Sequence, residues 1–538
     1  MFKEISREEW KFLAVIWLIV VVIVFLPIIV DYFMAPPGNI FLFRRYLNGV
    51  DYSVYFSQIE QVKHGMYLFK DFFTLEPQPV GVLNPFWLSV GLFAKIFFIP
   101  SLIALHLASF LLIPFFLISA YYLISFFFEE KNKRKICFVF FVFASGISAL
   151  IAAFFNFSSV NAVHFPSTVI SGAFTFSVLV SSPHLIASLT LLILIFLFSL
   201  YAFERYKFTY SLWAGLCALF LFSFHPYHVY TVFIVLLAFL IAEFLTEQKI
   251  YFSHIAHYII LLVFSLPPLI YYLWAFKNIP VFYQAYFLEN ITLTPSLWVI
   301  LFDYSVLLIL AVLGVISFFK NKNINKRNIF LIVWAATQFY LIYLPINTQN
   351  RFLEGLNVPI MILAACGLFF LNDKLKDKTF YRLDNVFFIY LLICIFCMSN
   401  VLVFLSDFYF VMNNLPLPAY LSKDDENAML WIKENTPEQS AILSWEINGN
   451  IMPVIAFRPV YLGHWSATVQ FSKKEAALDD FFKKYNSRER KDFLKTNNIN
   501  YLFWGPEEKK VANNFNPDRE GFLQKVYGNN TAEVYKVN

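Results

Sequence analysis

Eleven hydrophobic segments follow one another between residues 11 and 406, and the residues from there to 538 are far more polar. Charged residues make up 14% of the chain, whereas soluble globular proteins carry roughly 25%. Phe occurs 68 times. A Phe side chain in contact with lipid has no unfavourable transfer free energy, because lipid is itself apolar. The pattern predicts an integral membrane protein that carries a soluble domain at its C-terminal end.

The predicted architecture is an all-α polytopic membrane domain over residues 1–410 and a small α/β soluble domain over residues 411–538. Most of the segments approach the roughly 20 residues needed to cross about 30 Å of hydrocarbon. The predicted spans lie near residues 11–33, 102–128, 137–155, 185–204, 210–224, 229–246, 256–275, 298–319, 329–345, 353–371 and 384–406.

The distribution of Lys and Arg predicts the orientation in the membrane. The longer loops of one side hold fewer than half as many basic residues as the short loops of the other side. The positive-inside rule then places the N-terminus in the cytoplasm and the C-terminal domain outside the plasma membrane. The first segment is too long for a cleaved signal peptide, so it is interpreted as a retained span. The basic loops lie near residues 1–11, 129–136, 204–209, 247–255, 320–328 and 372–382.

The first exterior loop is predicted over residues 34–101. Within it, residues 84–98 are apolar but short and contain Pro85 and Lys95. A span there would invert the charge bias of every later loop, so a surface or re-entrant helix is predicted. Earlier in the loop, apolar residues recur at helical spacing and predict an amphipathic helix in the headgroup plane. These residues are Tyr52, Tyr55, Phe56, Ile59 and Val62.

The polar tail alternates between helical and strand patterns, which predicts a small α/β domain. Predicted helices lie near residues 424–435, 473–485 and 487–496, and predicted strands near 441–445, 458–463, 500–505 and 532–537.

All five cysteines lie in hydrophobic segments, so no disulfide framework is expected. Cys394 and Cys397 are interpreted as small core residues rather than a redox pair. The net charge of +5 is small, and nucleic acid is not an expected partner. The oligomeric state is left open. The other three cysteines are Cys137, Cys217 and Cys366.

Asp51 is the first candidate for chemistry, because it begins the amphipathic helix just outside the first span. A carboxylate there can act as a general base toward an acceptor hydroxyl or amine. The alternative is that Asp51 caps the helix N-terminus. Glu60, Asp71 and Glu76 are interpreted first as solvated acids, with Glu60 kept as a candidate substrate-binding residue.

His225 and His228 form the second candidate, in the string SFHPYH at the exterior end of a span. Two His at this spacing can ligate a metal or donate hydrogen bonds to a phosphate. Neither a Cys nor an acid stands beside them in the sequence, so no metal site is predicted and phosphate contact is favoured. The alternative is a pair of interfacial His that bond to the backbone.

Arg351 and Lys277 stand at exterior ends of predicted spans. Each can bind a phosphate group, and the alternative for each is contact with lipid headgroups. Glu354 lies one turn after Arg351 and can pair with it.

Three further residues carry weaker signals. His464, in the tail string YLGHWSAT, and Arg458 before it can cover a cleft on the membrane side, although a core or turn role is favoured. Asp303 is the clear charged exception within a span. Because ion-coupled transporters carry several intramembrane ionisable groups, their scarcity argues against that class.

The order of features near the N-terminus resembles the GT-C glycosyltransferases, which take sugars from polyprenyl-phosphate carriers. The resemblance is carried by Asp51 after the first span, the amphipathic helix, Gly65, and an apolar helix led by Pro85. It implies that Asp51 acts as a general base or helps to hold a metal.

A narrower resemblance, to prokaryotic glycosyltransferase-like membrane proteins, covers nearly the whole chain. Many GT-C enzymes use an acid in the second exterior loop with a divalent metal. Residues 156–183 contain neither Asp nor Glu and offer His164, Pro166 and Ser167 instead. A divalent metal is therefore an open but disfavoured cofactor. The resemblance rests on DYSVYFSQIEQVKHGMYLFKDFFTLEPQPVGVLNPFW, SSPHLIASL, FHPYHVYTV, QNRFLEGLNVPI, YLGHW and INYLFWGPEEK.

The function implied by the resemblance is transfer of a sugar from a polyprenyl-phosphate donor to an acceptor at the outer face of the membrane. Asp51 is expected to deprotonate the acceptor, while Arg351, His225 and His228 are expected to stabilise the leaving phosphate. The expected cleft lies between the first loop, the His225 turn and residues 277–297, capped by the tail. The alternative is a non-catalytic protein that binds or exports lipid-linked glycans.

Overall fold

A computed structural model describes residues 4–45, 47, 49–148, 164–321, 324–375, 396–413, 419–512 and 515–538. Cys394, most of the predicted span near 384–406 and parts of the predicted span near 137–155 lie outside these residues. The chain divides into two compact units. The helical unit consists of Met1–Pro27, His106–Tyr272 and Thr292–Asp407, and the loop–tail unit consists of Ile28–Leu105, Leu273–Ile291 and Phe408–Asn538.

Every predicted span overlaps a helix. Within the described residues, six helices are long and apolar enough to cross a membrane, and a seventh span results if a pair bent by 77° counts as one. The other four have 13 to 17 described residues. The helices are Arg7–Phe33, Ser101–Phe127, Lys131–Phe143, Pro183–Arg205, Phe208–Phe224, His228–Glu247, Phe252–Asn278, the bent pair Leu297–Asp303 and Ser305–Lys320, Lys326–Leu341, Leu353–Leu375 and Met398–Asn413.

Two glycines allow the helices Ser305–Lys320 and Leu353–Leu375 to pack closely in the helical unit. A Cβ atom added at Gly314 would collide with the carbonyl oxygen of Leu363, and one at Gly367 would collide with that of Leu310. Small residues are typical of helix interfaces in membranes, where close backbone approach supplies the packing energy.

Asp303, the charged exception within the spans, is fully buried in the helical unit. Its carboxylate accepts hydrogen bonds from Ser167 N at 2.7 Å, from Ser167 Oγ at 2.7 Å and from Ser148 N at 3.3 Å. These donors compensate the cost of burying the carboxylate. Asp303 therefore fixes the described part of the second exterior loop, which itself contains neither Asp nor Glu.

Short helices connect the longer elements. In the helical unit they are Pro166–Val169, Thr175–Ser181 and the 3₁₀ helix Gln349–Phe352. In the loop–tail unit, Pro280–Tyr283 continues into the π-helix Gln284–Glu289.

The amphipathic helix of the first exterior loop is present as Tyr52–Lys63, but both of its faces are buried in the loop–tail unit. Ser53 and Gln61 are at most 1% exposed. Ser53 accepts a hydrogen bond from Arg44, and Gln61 exchanges two with the backbone of Lys70. The prediction that the polar face lies at the headgroups is wrong, because protein donors and acceptors replace water there.

The apolar stretch after it forms the helix Pro85–Ile96. Its 12 residues are too few for a span, in agreement with the surface or re-entrant helix that the charge bias favours. Trp87 stacks on Tyr55 at 4.6 Å between ring centroids, and Gly91 accommodates Val62. The helix therefore packs directly on Tyr52–Lys63.

The described part of the tail is an α/β arrangement, as predicted. The strands β3 (Ile442–Leu443), β4 (Tyr501–Trp504), β5 (Leu523–Gly528) and β6 (Glu533–Val537) form a mixed sheet in the order β3-β4-β6-β5. β3 and β4 are parallel and the other pairs antiparallel. The helices are Lys423–Asn435, Glu446–Ile455, Phe471–Lys483, Ser487–Thr496, Pro506–Val511 and the 3₁₀ helix Pro517–Arg519.

Several tail elements differ from the sequence predictions. The predicted strand 458–463 is wrong: Val460 makes an isolated bridge to Ile442. Four elements were not predicted, namely β5 and the helices Glu446–Ile455, Pro506–Val511 and Pro517–Arg519. A further small pairing joins β1 (Asn39–Phe41) antiparallel to β2 (Tyr420–Ser422), so the first exterior loop and the tail form one sheet.

Asp71 organises the turn of the first exterior loop. Its Oδ1 atom accepts a hydrogen bond from Phe73 N at 2.9 Å, while its Oδ2 atom is buried without a partner among the described residues. Burial raises the pKa of Asp71 to about 7, and the nearby Glu76 carboxylate raises it further. The interpretation of Asp71 as a solvated acid is therefore wrong.

We expect the substitution Gly367→Val to destabilise the helical unit. Overpacking of this kind costs about 1–3 kcal/mol, which lowers the melting temperature by several degrees. The measurement is thermal unfolding of the detergent-solubilised protein. Val312→Leu, on the exposed side of Ser305–Lys320, is the matched control and should leave the melting temperature unchanged. Equal melting temperatures for Gly367→Val and the native chain would contradict the close packing.

We expect Asp71→Asn to remove a pH dependence of stability. The folded pKa of about 7 lies above the unfolded value of 3.8, so the native protein loses stability as pH rises through 7. Asn stays neutral and its Oδ1 can still accept from Phe73 N. The melting temperature of Asp71→Asn should therefore rise relative to that of the native chain between pH 5 and 8.

The control for this series is Asp492→Asn, since the Asp492 side chain is 69% exposed. Its melting temperature should follow the native curve. A difference between Asp71→Asn and the native chain that stays constant with pH would show that Asp71 does not titrate in this range.

Candidate functional site

Asp51 directly precedes the helix Tyr52–Lys63, with the helical backbone angles φ −64° and ψ −23°. A capping residue usually has extended backbone angles, which point its side chain at the first helix amides. The Asp51 side chain makes no such capping bond in the described structure. Instead its Oδ1 atom lies 2.9 Å from Nε2 of His464. The Asp51 side chain is 22% exposed, so the carboxylate remains accessible.

His464 is held in one orientation by its neighbours in the tail. Its Nδ1 atom accepts a hydrogen bond from Ser466 N at 3.2 Å, and a backbone amide can act only as a donor. The ring proton therefore lies on Nε2 and is donated to the Asp51 carboxylate. Thr468 anchors the same segment, since its hydroxyl accepts from Gly463 N and donates to Phe73 O. The sequence interpretation of His464 as a core or turn residue thus missed its hydrogen bond to Asp51.

Residues 284–289 lie beside the same tail segment. Tyr286 packs against a small apolar cluster that includes Val469. Burial raises the pKa of the Tyr286 phenol, and the negative charges of Asp71 and Asp51 raise it further. Tyr286 is therefore a neutral hydrogen-bonding group near two carboxylates. Because it has no motif around it, sequence analysis did not single it out.

Two other candidates of the loop–tail unit have different surroundings. Glu60 is buried, and its carboxylate accepts hydrogen bonds from Ser101 Oγ and from Lys63 Nζ at 3.1 Å. Its interpretation as a solvated group is wrong, because these donors hold it inside the protein. Lys277 is exposed in the last turn of the helix Phe252–Asn278.

The helical unit brings His225 and His228 together with Glu354. His228 Nε2 lies 3.1 Å from Glu354 Oε2, and both side chains are at most 2% exposed. One atom from each of the three residues lies within 4.8 Å of the others. Sequence analysis considered Glu354 as a partner of Arg351, and it found no acid beside the two His because this acid begins a different helix.

Tyr227 completes the cluster. Its hydroxyl lies 2.9 Å from His225 Nδ1 and 3.4 Å from Glu354 Oε2. Burial lowers the pKa of His225 well below its usual value, and the neighbouring His184, His228 and Arg351 lower it further. His225 is therefore a neutral imidazole at neutral pH, and Arg351 lies close enough to act on it electrostatically.

His184 also belongs to this cluster, although sequence analysis did not predict it as a site residue. Its ring meets the His225 ring edge-on at 5.1 Å between centroids. The residues that can hold a metal here are two imidazoles and one carboxylate, a ligand set suited to zinc.

The structural interpretation of Arg458 is confirmed. Its guanidinium is 3% exposed and donates hydrogen bonds to the carbonyl oxygens of Lys433 at 2.8 Å, Thr436 at 2.6 Å and Phe457 at 3.0 Å. These hydrogen bonds join segments of the tail, so Arg458 is not a candidate for substrate binding.

No protein-family model matches the chain, and no curated protein matches its sequence. Solved structures do match. The oligosaccharyltransferase of Archaeoglobus fulgidus in the apo form has a TM-score of 0.58 and 15% identity, with 96% of this chain and 72% of that chain covered. The archaeal oligosaccharyltransferase AglB from the same organism, in complex with an inhibitory peptide and a dolichol-phosphate, has a TM-score of 0.58 and 14% identity, with 94% and 70% covered.

The arabinofuranosyltransferase AftD from Mycobacteria matches over the full length of this chain but over 40% of its own, with a TM-score of 0.53 and 13% identity. These neighbours are glycosyltransferases of the GT-C superfamily. At such low identities the similarity is one of fold. This chain therefore has the GT-C fold of a multi-pass membrane protein, with a small sheet in its C-terminal part.

Proposed function

We propose that the protein is a membrane glycosyltransferase that moves a sugar from a polyprenyl-phosphate donor to an acceptor at the outer face of the membrane. The GT-C fold supports the class of reaction. The observation that carries the proposal is the hydrogen bond from His464 Nε2 to the accessible carboxylate of Asp51. This pair gives the chain an oriented acid–base group at the place where the resemblance puts the catalytic Asp.

In the proposed step, Asp51 Oδ2 takes the proton of an acceptor hydroxyl while Oδ1 stays bound to His464. The acceptor oxygen attacks the anomeric carbon and forms the new glycosidic bond. The bond between that carbon and the phosphate oxygen breaks, and its electron pair leaves with the polyprenyl phosphate. The His464 hydrogen bond holds the carboxylate in one orientation, and a general base must be positioned in this way toward the proton that it takes.

The leaving phosphate needs positive charge and hydrogen-bond donors. The proposal assigns this role to His225, His228 and Arg351. The geometry of the cluster supports this assignment. Arg351 lies close enough to His225 to act on it electrostatically, and both His lie beside Glu354. Lys277, exposed at its helix end, is proposed as a further contact for the donor phosphate.

The proposed location follows from the charge bias of the loops. It puts the N-terminus in the cytoplasm, and it puts the first exterior loop and the tail on the outer side of the plasma membrane. The shared sheet of β1 and β2 and the hydrogen bond of Asp51 to His464 support a common side for the loop and the tail. The polyprenyl-phosphate sugar and membrane lipids are the proposed partners.

We expect Asp51→Asn to lower the rate of sugar transfer by at least about 100-fold, because general-base catalysis contributes roughly 10²–10⁴-fold. Asn keeps the size and the acceptor for His464 Nε2 but does not take a proton. The assay uses purified protein in lipid vesicles with a panel of polyprenyl-phosphate sugars and measures release of polyprenyl phosphate. Asp492→Asn serves as the carboxylate control and should retain the native rate.

His464 provides a second variant for the same assay. His464→Gln keeps an N–H donor and should retain more activity than His464→Ala, with both variants matching the native melting temperature. Equal release by Asp51→Asn and the native protein would reject Asp51 as the base. Binding of the donor without release by the native protein would instead favour the non-catalytic glycan-binding alternative.

A further inference from the structure

We propose that the helical unit binds a divalent transition-metal ion of the zinc class at His225, His228 and Glu354. Sequence analysis predicted no metal here, since the two His had no neighbouring acid. The structure supplies that acid from the first turn of the helix Leu353–Leu375. The inference concerns metal binding and stands whether or not the chain transfers a sugar.

The geometry of the three side chains suits one ion. His225 and His228 flank the start of a helix, and Glu354 begins another. One ligand atom from each lies within 4.8 Å of the others, and all three side chains are buried. Two imidazoles and one carboxylate form the protein ligand set of open zinc sites, in which the fourth position is left to water or substrate. An imidazole nitrogen is a poor ligand for Mg²⁺ and Ca²⁺, because these ions prefer oxygen ligands.

Two buried atoms supply a second, independent observation. His228 Nδ1 and Glu354 Oε1 have no hydrogen-bond partner among the described residues. A 3.1 Å contact joins the other two atoms of these groups, His228 Nε2 and Glu354 Oε2. It leaves the two remaining polar atoms buried without compensation, which is costly. A bound cation lowers this cost, because Glu354 Oε1 can coordinate it together with one ring nitrogen of His228.

The surroundings also fit a metal. The Tyr227 hydroxyl lies 2.9 Å from His225 Nδ1, so it fixes the ring and leaves Nε2 to bind the ion. Groups in this position orient metal ligands and tune their affinity.

The fourth position suits an anionic oxygen. Arg351 already contributes positive charge at His225, and a divalent ion adds to it. Together they attract a phosphate group, whether free or at the end of a lipid carrier. The part of the inference that names a lipid-carrier phosphate rests on the proposed function.

The experiment measures metal directly. The full-length native protein, purified in detergent and treated with chelator, is titrated with Zn²⁺ by calorimetry, and with Co²⁺ as a spectroscopic substitute. We expect one ion per chain, a visible Co²⁺ absorption band of a four-coordinate site, and a higher melting temperature with Zn²⁺. Addition of inorganic phosphate should shift the Co²⁺ band if the fourth position accepts an anionic oxygen.

Two variants test the ligands. Glu354→Gln keeps the size and the acceptor for His228, and His228→Ala removes one imidazole. Each should weaken Zn²⁺ binding by at least about 10-fold, and Zn²⁺ should no longer raise the melting temperature. His164→Ala, which removes an exposed His of the same unit, is the matched control and should bind as the native chain does.

The proposal would be overturned if the native protein bound less than about one ion per ten chains. It would also be overturned if Glu354→Gln bound Zn²⁺ with the affinity of the native protein. Should a variant fail to fold, its melting curve without metal reveals this, and the native titration with the His164→Ala control still decides. Metal binding without sugar transfer would leave this inference intact while rejecting the proposed function. An unchanged Co²⁺ band on addition of phosphate would overturn the part that concerns the anion.

Discussion

The hydrogen bond between Asp51 and His464 joins residues that are 413 positions apart in the chain. It adds a side-chain contact between the first exterior loop and the tail to the pairing of β1 with β2. It also decides the chemistry open to Asp51. A carboxylate that capped its own helix would accept hydrogen bonds from backbone amides, whereas the Asp51 carboxylate accepts one from the imidazole of His464.

Buried polar groups determine the arrangement of both units. In an apolar surrounding an unpaired charge or donor is costly, so most such groups have a specific partner. Asp303 fixes the second exterior loop through Ser167, and Gln61 fixes the first through the backbone of Lys70. Where a partner is missing, as for Glu354 Oε1, the gap itself points to a ligand.

Several features of the fold could be predicted from the sequence because their causes are local. Lipid contact selects long apolar segments, and the helical spacing of Tyr52, Phe56 and Ile59 is enough to place the exterior helix. The fate of its polar face could not be predicted, since that depends on residues such as Arg44 and Lys70 that approach only after folding. The isolated bridge of Val460 has the same explanation, because strand formation needs a partner.

For the candidate site, the sequence by itself determined which residue types stand at membrane boundaries. Asp51, His225, His228 and Arg351 are visible there as polar residues beside apolar spans. Which of them meet was decided by tertiary structure alone. Glu354 reaches His228 from 126 positions away, and His464 reaches Asp51 from the tail. The physical reason is that hydrogen bonds and metal coordination require atoms within a few ångströms, and separation along the chain carries no information about that distance.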